Sequence, residues 1–154
     1  MNIRRAKKSD IQEIIELNLR LIDYHKKLDK QNKSGNQVRA RFEKVIREQI
    51  GKKNEIYFIA EEDDFIVGYL YGEIIKGNFF RKYDKTGHIG HVFIDEKYRK
   101  RGIGKSLFKE FVKWCKNKKI RHIELSVRAE NQLGIDVWKK LGFKSYEITM
   151  ERNL

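Results

Sequence analysis

The run His88-Ile-Gly-His-Val-Phe-Ile-Asp-Glu-Lys-Tyr-Arg-Lys-Arg-Gly-Ile-Gly-Lys-Ser-Leu-Phe108 gathers residue types that can do chemistry. Its first part is strand-like, and its middle is a basic turn with glycines at 102 and 104 that opens a helix. A helix start offers unpaired backbone N–H groups and the positive end of the helix dipole. Glycine lets a phosphate approach that backbone closely. Arg99, Lys100, Arg101 and Lys105 add positive charge. The turn is a site for a pyrophosphate or a group like it. Upstream, His88 and His91 can take a proton near neutral pH, since an unperturbed imidazole titrates near pH ~6.5. Their odd separation puts them on opposite faces of a regular strand. The alternative for each is a buried histidine with hydrogen-bonded nitrogens.

Other readings of these residues fare worse. A dinucleotide fingerprint needs a third glycine, which Ser106-Leu107 does not supply. A P-loop matches at Gly104-Lys105-Ser106, but its first glycine would fall on Arg99. His-Ile-Gly-His is also the letter string of class I aminoacyl-tRNA synthetases, yet here it runs into strand residues. No metal is expected, because no Cys or His cluster completes the histidine pair. Cys115 falls on an apolar helical stripe and belongs to a core.

The elements that must position these residues follow from hydrophobic period. Ile3-Arg4-Arg5 opens as a strand. Ser9 and Gln12 form a capping-box pattern before a helix through Ile11, Ile14, Ile15, Leu19 and Ile22, ending near Lys27. Residues 28–37 read as a polar, mobile connection. Val38, Phe42, Val45 and Ile46 predict a second helix stopped by Gly51. Residues 56–60 and 65–75 read as strands joined at Asp63-Asp64. Residues 89–94 give another strand, and Leu107 to Cys115 a helix. Ile123, Leu125 and Val127 alternate as a half-buried strand, and Asn131 caps a helix carrying Trp138. Tyr146, Ile148 and Met150 predict a last strand. The order β-α-α-β-β-β-α-β-α-β implies a single α/β domain over residues 1–154. Its sheet is mostly antiparallel and partly parallel, with helices on both faces.

The bulk composition fits one globular domain: 154 residues, 40% hydrophobic and 12% aromatic. The single cysteine forms no internal disulfide, and no apolar run has the length of a signal peptide or membrane span. A cytoplasmic protein without a membrane partner is expected. The net charge of +13 attracts polyanions. The basic residues are nonetheless spread along the chain with no helix-turn-helix or RNA-binding aromatic motif, so a nucleic-acid partner is not expected.

Arg99-Lys-Arg-Gly102-Ile-Gly104 fits the Arg/Gln-x-x-Gly-x-Gly/Ala loop of the GNAT superfamily of N-acetyltransferases. Asp95-Glu-Lys-Tyr-Arg99 leading into it, Leu125-Ser-Val-Arg-Ala-Glu-Asn131, and Val137-Trp-Lys-Lys-Leu-Gly-Phe143 also resemble that family. The resemblance is sharp over residues 88–144 and topological before them. It implies acetyl-CoA as acyl donor, with the pyrophosphate at Arg99, Lys100, Arg101, Gly102, Ile103, Gly104, Lys105 and Ser106. The pantetheine arm would lie along Val92, Phe93 and Ile94, with Asn131 and Trp138 beside it. It implies direct attack of a primary amine, of a protein or a small molecule, on the thioester. Two departures stand out. The strand before the loop lacks the glutamate many members carry, which makes His88 and His91 candidate bases. The resemblance also implies a bulge in this strand, for which Gly90 is suited and which would bring both histidines into the cleft. Trp138 replaces a tyrosine proposed as thiolate acid, which leaves Tyr146 or water. Tyr24, His25 and Glu73 are candidates for holding the acceptor ammonium. A homodimer is compatible with the family. The alternative from another class is an inactive acyl-CoA-binding or polyanion-binding module on the same fold.

Overall fold

The computed structural model describes residues 1–154. Asp63 and Asp64 adopt φ of 51° and 65°, the left-handed values that a two-residue hairpin needs and that aspartate tolerates. They join β2 (Glu55–Glu62) to β3 (Phe65–Lys76). β1 (Asn2–Arg5) pairs antiparallel with β2, and β4 (Lys85–Ile94) antiparallel with β3. β5 (Ile123–Leu125) pairs parallel with β4. The five-stranded sheet therefore keeps sequence order, β1-β2-β3-β4-β5.

Helices cover both faces because the strands alternate. Tyr57 and Ile59 of β2 join Ile14 and Ile15 of α1 (Ile11–Leu28) and Ile46 of α2 (Gly35–Gln49) in one core. Phe58 and Ala60, pointing the other way, join Leu107, Phe111 and Cys115 of α3 (Ile103–Asn117) in a second. Trp138 of α4 (Gln132–Lys140) packs at the edge of that second core. None of these helices is long and apolar enough to cross a membrane.

The structure departs from the sequence expectations at four places. No Ser9–Gln12 capping box forms. Asp10 is buried instead, accepting the Lys7 N–H at 2.6 Å and both Arg4 terminal nitrogens at 2.7 and 3.0 Å. Arg4 also reaches Glu61 at 2.9 Å, so this charged clasp, rather than a hydroxyl cap, sets where α1 begins. The 28–37 connection is tied down rather than loose: Asn32 Nδ2 donates to the His25 carbonyl, and Arg128 reaches Asp29 and Asn32. β5 stops at Leu125, short of Val127. No strand forms at Tyr146–Met150. Tyr146, Ile148 and Met150 are exposed, because a three-residue β5 offers too few ladder bonds to hold another strand.

Candidate functional site

Strand β4 carries the site on both of its sides, and the irregularity lies at its middle. Its pairing with β3 jumps from Tyr71↔His91 to Gly72↔Ile89, so Gly90 is the extra residue of a bulge. A Cβ there would stand 2.8 Å from Cδ1 of Tyr71, which only glycine avoids. The inserted residue resets the alternation and puts His88 and His91 on one face, the α1/α2 face.

His91 lies between the rings of Tyr71 and Phe42, with centroids 5.5 and 5.6 Å away. Burial, helped by the nearby His25 and His88, lowers its pKa to about 4, so it is neutral at neutral pH. His88 Nδ1 comes within 3.4 Å of Glu73 Oε1, but out of line for a hydrogen bond, and neither histidine's Nδ1 has a hydrogen-bond partner in the protein. Unpartnered buried ring nitrogens are uncommon in a purely structural setting. Beside them runs a relay: the Tyr71 hydroxyl donates to Glu55 at 2.8 Å and accepts from Gln49 Nε2 at 2.8 Å. Gln49 Oε1 in turn accepts from Tyr57 at 2.6 Å. Burial, first of all, holds both phenols above their ordinary pKa, so they remain protonated donors.

The other edge of β4 is open. β4 and β5 stay in register only from Gly87↔Ile123 to Ile89↔Leu125. Beyond that the strands part, and Val92, Phe93 and Ile94 face Leu70, Tyr69 and Gly68 of β3 on one side and no strand on the other. The chain then turns through Asp95, whose carboxylate accepts the Lys97 N–H at 3.1 Å and Arg20 of α1 at 2.8 Å. Lys100 and Gly102 take φ of 63° and 79°, a kink that lines backbone amides along one concave side. The first intrahelical bond of α3 runs from Ser106 N–H to the Gly102 carbonyl at 3.0 Å. The amides of Ile103, Gly104 and Lys105 thus have no intrahelical acceptor. A Cβ on Gly104 would meet Ile94 Cδ1 at 3.2 Å, which shows how closely the helix start sits on the strand end.

Two of the four loop cations have protein partners. Arg99 folds back to donate from Nε to the Ile94 carbonyl at 3.0 Å, and Arg101 pairs with Glu62 at 2.8 Å. Lys100 and Lys105 make no ion pair. Backbone amides and two lysines are what the loop offers an anion.

The remaining candidates fall around this frame. Asn131 Oδ1 accepts the Gly134 N–H at 3.0 Å, capping α4, and also the Tyr24 hydroxyl at 3.3 Å. Trp138 packs edge-on to Phe143 and Phe108, at 5.3 and 6.0 Å. His25 is half-buried, and burial followed by the charge of Arg128 lowers its pKa. Tyr146 lies exposed against Arg81 at 4.9 Å, and Glu124 above all raises its pKa, which makes it a poorer acid. Gln49, Glu55, Tyr57, Tyr71 and Phe42 were not singled out from sequence. The one signal was the alternation Tyr69-x-Tyr71-x-Glu73 along β3.

Residues 27–143 match the Acetyltransferase (GNAT) family. The chain belongs to the GNAT acetyltransferase family. An N-alpha-acetyltransferase of Sulfurisphaera tokodaii is 32% identical over 106 residues, covering 66% of this chain and 64% of that protein. The chain thus spans less than two thirds of that relative's length. The BH1408 protein of Bacillus halodurans, as a tetramutant, has the same fold, with a TM-score of 0.85 at 22% identity over all of both chains. Aminoglycoside N-acetyltransferase AAC(6')-Iy, solved with CoA, superimposes with a TM-score of 0.77 at 20% identity, covering 99% of this chain and 98% of that one. In this GNAT chain, the opening between β4 and β5 and the glycine turn at 102–104 are adjacent parts of one continuous segment.

Proposed function

We propose that this GNAT chain is an N-acetyltransferase that uses acetyl-CoA to acetylate a primary amine within a ternary complex. The observation that supports it best is the two-sided build of β4. One edge is unpaired and leads into free helix amides. The α1/α2 face, reset by the Gly90 bulge, presents two histidines with unpartnered nitrogens.

Acetyl-CoA supplies the activated thioester. The amides of residues 103–105, with Lys100 and Lys105, hold its pyrophosphate, and the open edge at Val92–Ile94 pairs with the amide-bearing arm. A backbone N–H of the same strand stabilises the oxyanion. Most alkyl amines arrive protonated, with a pKa of about 10.4, and must lose a proton before attack. His88 receives that proton, with the Glu73 carboxylate 3.4 Å from its Nδ1. His91, neutral because buried, positions the amine rather than serving as the main base. The amine nitrogen forms its bond to the carbonyl carbon, the carbon–sulfur bond breaks, and the thiolate leaves. A free thiol titrates near ~8.5, so the departing sulfur needs no protein acid, and the exposed Tyr146 is not required as one.

Calorimetric titration with acetyl-CoA, and separately with ATP and magnesium, tests the first half of this reading. Saturable binding of acetyl-CoA alone is expected. A panel of amines, followed by release of free thiol, tests the second half. Absence of acetyl-CoA binding would overturn the reading.

A further inference from the structure

Between α1 and α2 lies a cleft of about 460 Å³. Its apolar wall is Ile22, Val38, Phe42 and Val45, and its charged wall includes Lys33, Arg41 and Arg128, with His25 beside them. No carboxylate lines it. Two contacts connect the cleft to the bulge. Phe42 lies both in the cleft wall and against the His91 ring. His25 lines the cleft and is close enough to His91 to help depress its pKa.

The charges are sorted along this path. Beyond Phe42 and His91 stand Glu73, beside His88, and Glu55, whose charge Lys52 already answers at 3.2 Å and whose other contact is Tyr71. At the outer end stand Lys33 and Arg41, neither of which makes an ion pair. Arg128 is pinned there by Asp29 and Asn32 at 2.7 and 2.6 Å, so its charge is largely answered while Lys33 and Arg41 remain free. The nearby Asp23 carboxylate is also occupied, accepting the Gly35 N–H at 2.7 Å. A molecule that reaches from the cleft past Phe42 and His91 towards His88 thus meets the Glu73 carboxylate beyond the cleft and leaves unanswered cations behind it.

Resting on the acetyltransferase reading above, we propose that the acceptor is an amine bearing an anionic group: its ammonium enters towards Glu73 and its carboxylate or phosphate is held by Lys33 and Arg41. A polycation is the wrong shape of charge for this cleft, since like charges facing one another suppress binding. The chemistry is met by a small amino acid or amino phosphate, and by a peptide N-terminus with acidic residues behind it.

The experiment is steady-state kinetics at saturating acetyl-CoA with matched acceptors. One arm compares peptides beginning Ser-Glu-Glu and Ser-Lys-Lys that are otherwise identical. The other compares aspartate with its diamide, and phosphoethanolamine with ethanolamine. The expected result is a kcat/KM at least about tenfold higher for the anionic member of a pair, a ratio that shrinks as salt is raised. The arm in which this occurs identifies the source. Arg41→Glu together with Lys33→Glu should invert the ratio, and the milder Arg41→Gln should reduce it, each checked for folding by thermal melting. Cationic and neutral acceptors used as well as anionic ones would overturn this inference and leave the acetyltransferase reading intact. No turnover of any acceptor despite acetyl-CoA binding would overturn both.

Discussion

The open edge of β4 and its α1/α2 face are built by different means. The edge that leads to α3 presents backbone: helix amides left without an intrahelical acceptor and a strand edge left bare when β5 departs. The α1/α2 face presents side chains drawn from four elements, Phe42 and Gln49 from α2, Glu55 from β2, Tyr71 and Glu73 from β3, and the two histidines from β4. Backbone recognition suits a ligand part that never changes, and it needs only a local conformation. Side-chain recognition can be retuned residue by residue. A fold with one constant donor and a variable acceptor gains from having one of each.

Substitutions can separate the two sides. The largest effect is expected from Gly102→Asp, which brings a negative charge to the φ 79° turn. Acetyl-CoA affinity should fall by about two orders of magnitude or more in calorimetry, and an unchanged affinity would break the backbone half of the comparison. His88→Ala should lower kcat by about 10²–10³-fold, within the usual range for a general base, while acetyl-CoA binding persists. If both fell together, the two sides would not be separable. Gly90→Ala should cost roughly tenfold in kcat by forcing the Tyr71 ring away from the 2.8 Å approach, again with acetyl-CoA binding retained.

The last effect concerns pH and is confined to acid solution. His91 has a folded pKa of about 4, against ~6.5 when unfolded. The unfolded chain therefore binds the proton more readily between these values, and stability falls as pH drops through that window. The contribution is absent above it and approaches ~3 kcal/mol near pH 4. His91→Asn should flatten that part of a denaturant-derived stability–pH curve, and a curve of unchanged slope would show that His91 is not held neutral by burial.

The same division explains what could be seen in the sequence. Residues 99–104 were legible because a helix start and its glycines are contiguous. The Gly90 bulge was expected from the family resemblance, whereas the spacing of the two histidines alone put them on opposite faces. The Gln49–Tyr57–Tyr71–Glu55 relay was not, since it depends on the register of β2 against β3 and on where α2 ends. Ser9 looked like a cap until Arg4 and Glu61, 57 positions apart, converged near Asp10. Tyr146, Ile148 and Met150 have the alternation of a strand, but alternation supplies no partner. Lys33 of the basic cleft was hidden in a stretch that read as a loose connection, and Arg41 on a helix legible only by its apolar face.

The sequential order of the sheet bears on how the protein assembles. Strands β2, β3 and β4 pair through short connections, which favours rapid formation. β1 reaches β2 only across α1 and α2, and β5 reaches β4 only across α3, with three residues that add little of their own. The proposed donor site straddles the seam between the β2–β4 meander and the last third of the chain. A ligand bound there clamps the last part to the first, so the C-terminal third should be the segment whose hydrogen exchange slows most when acetyl-CoA is added.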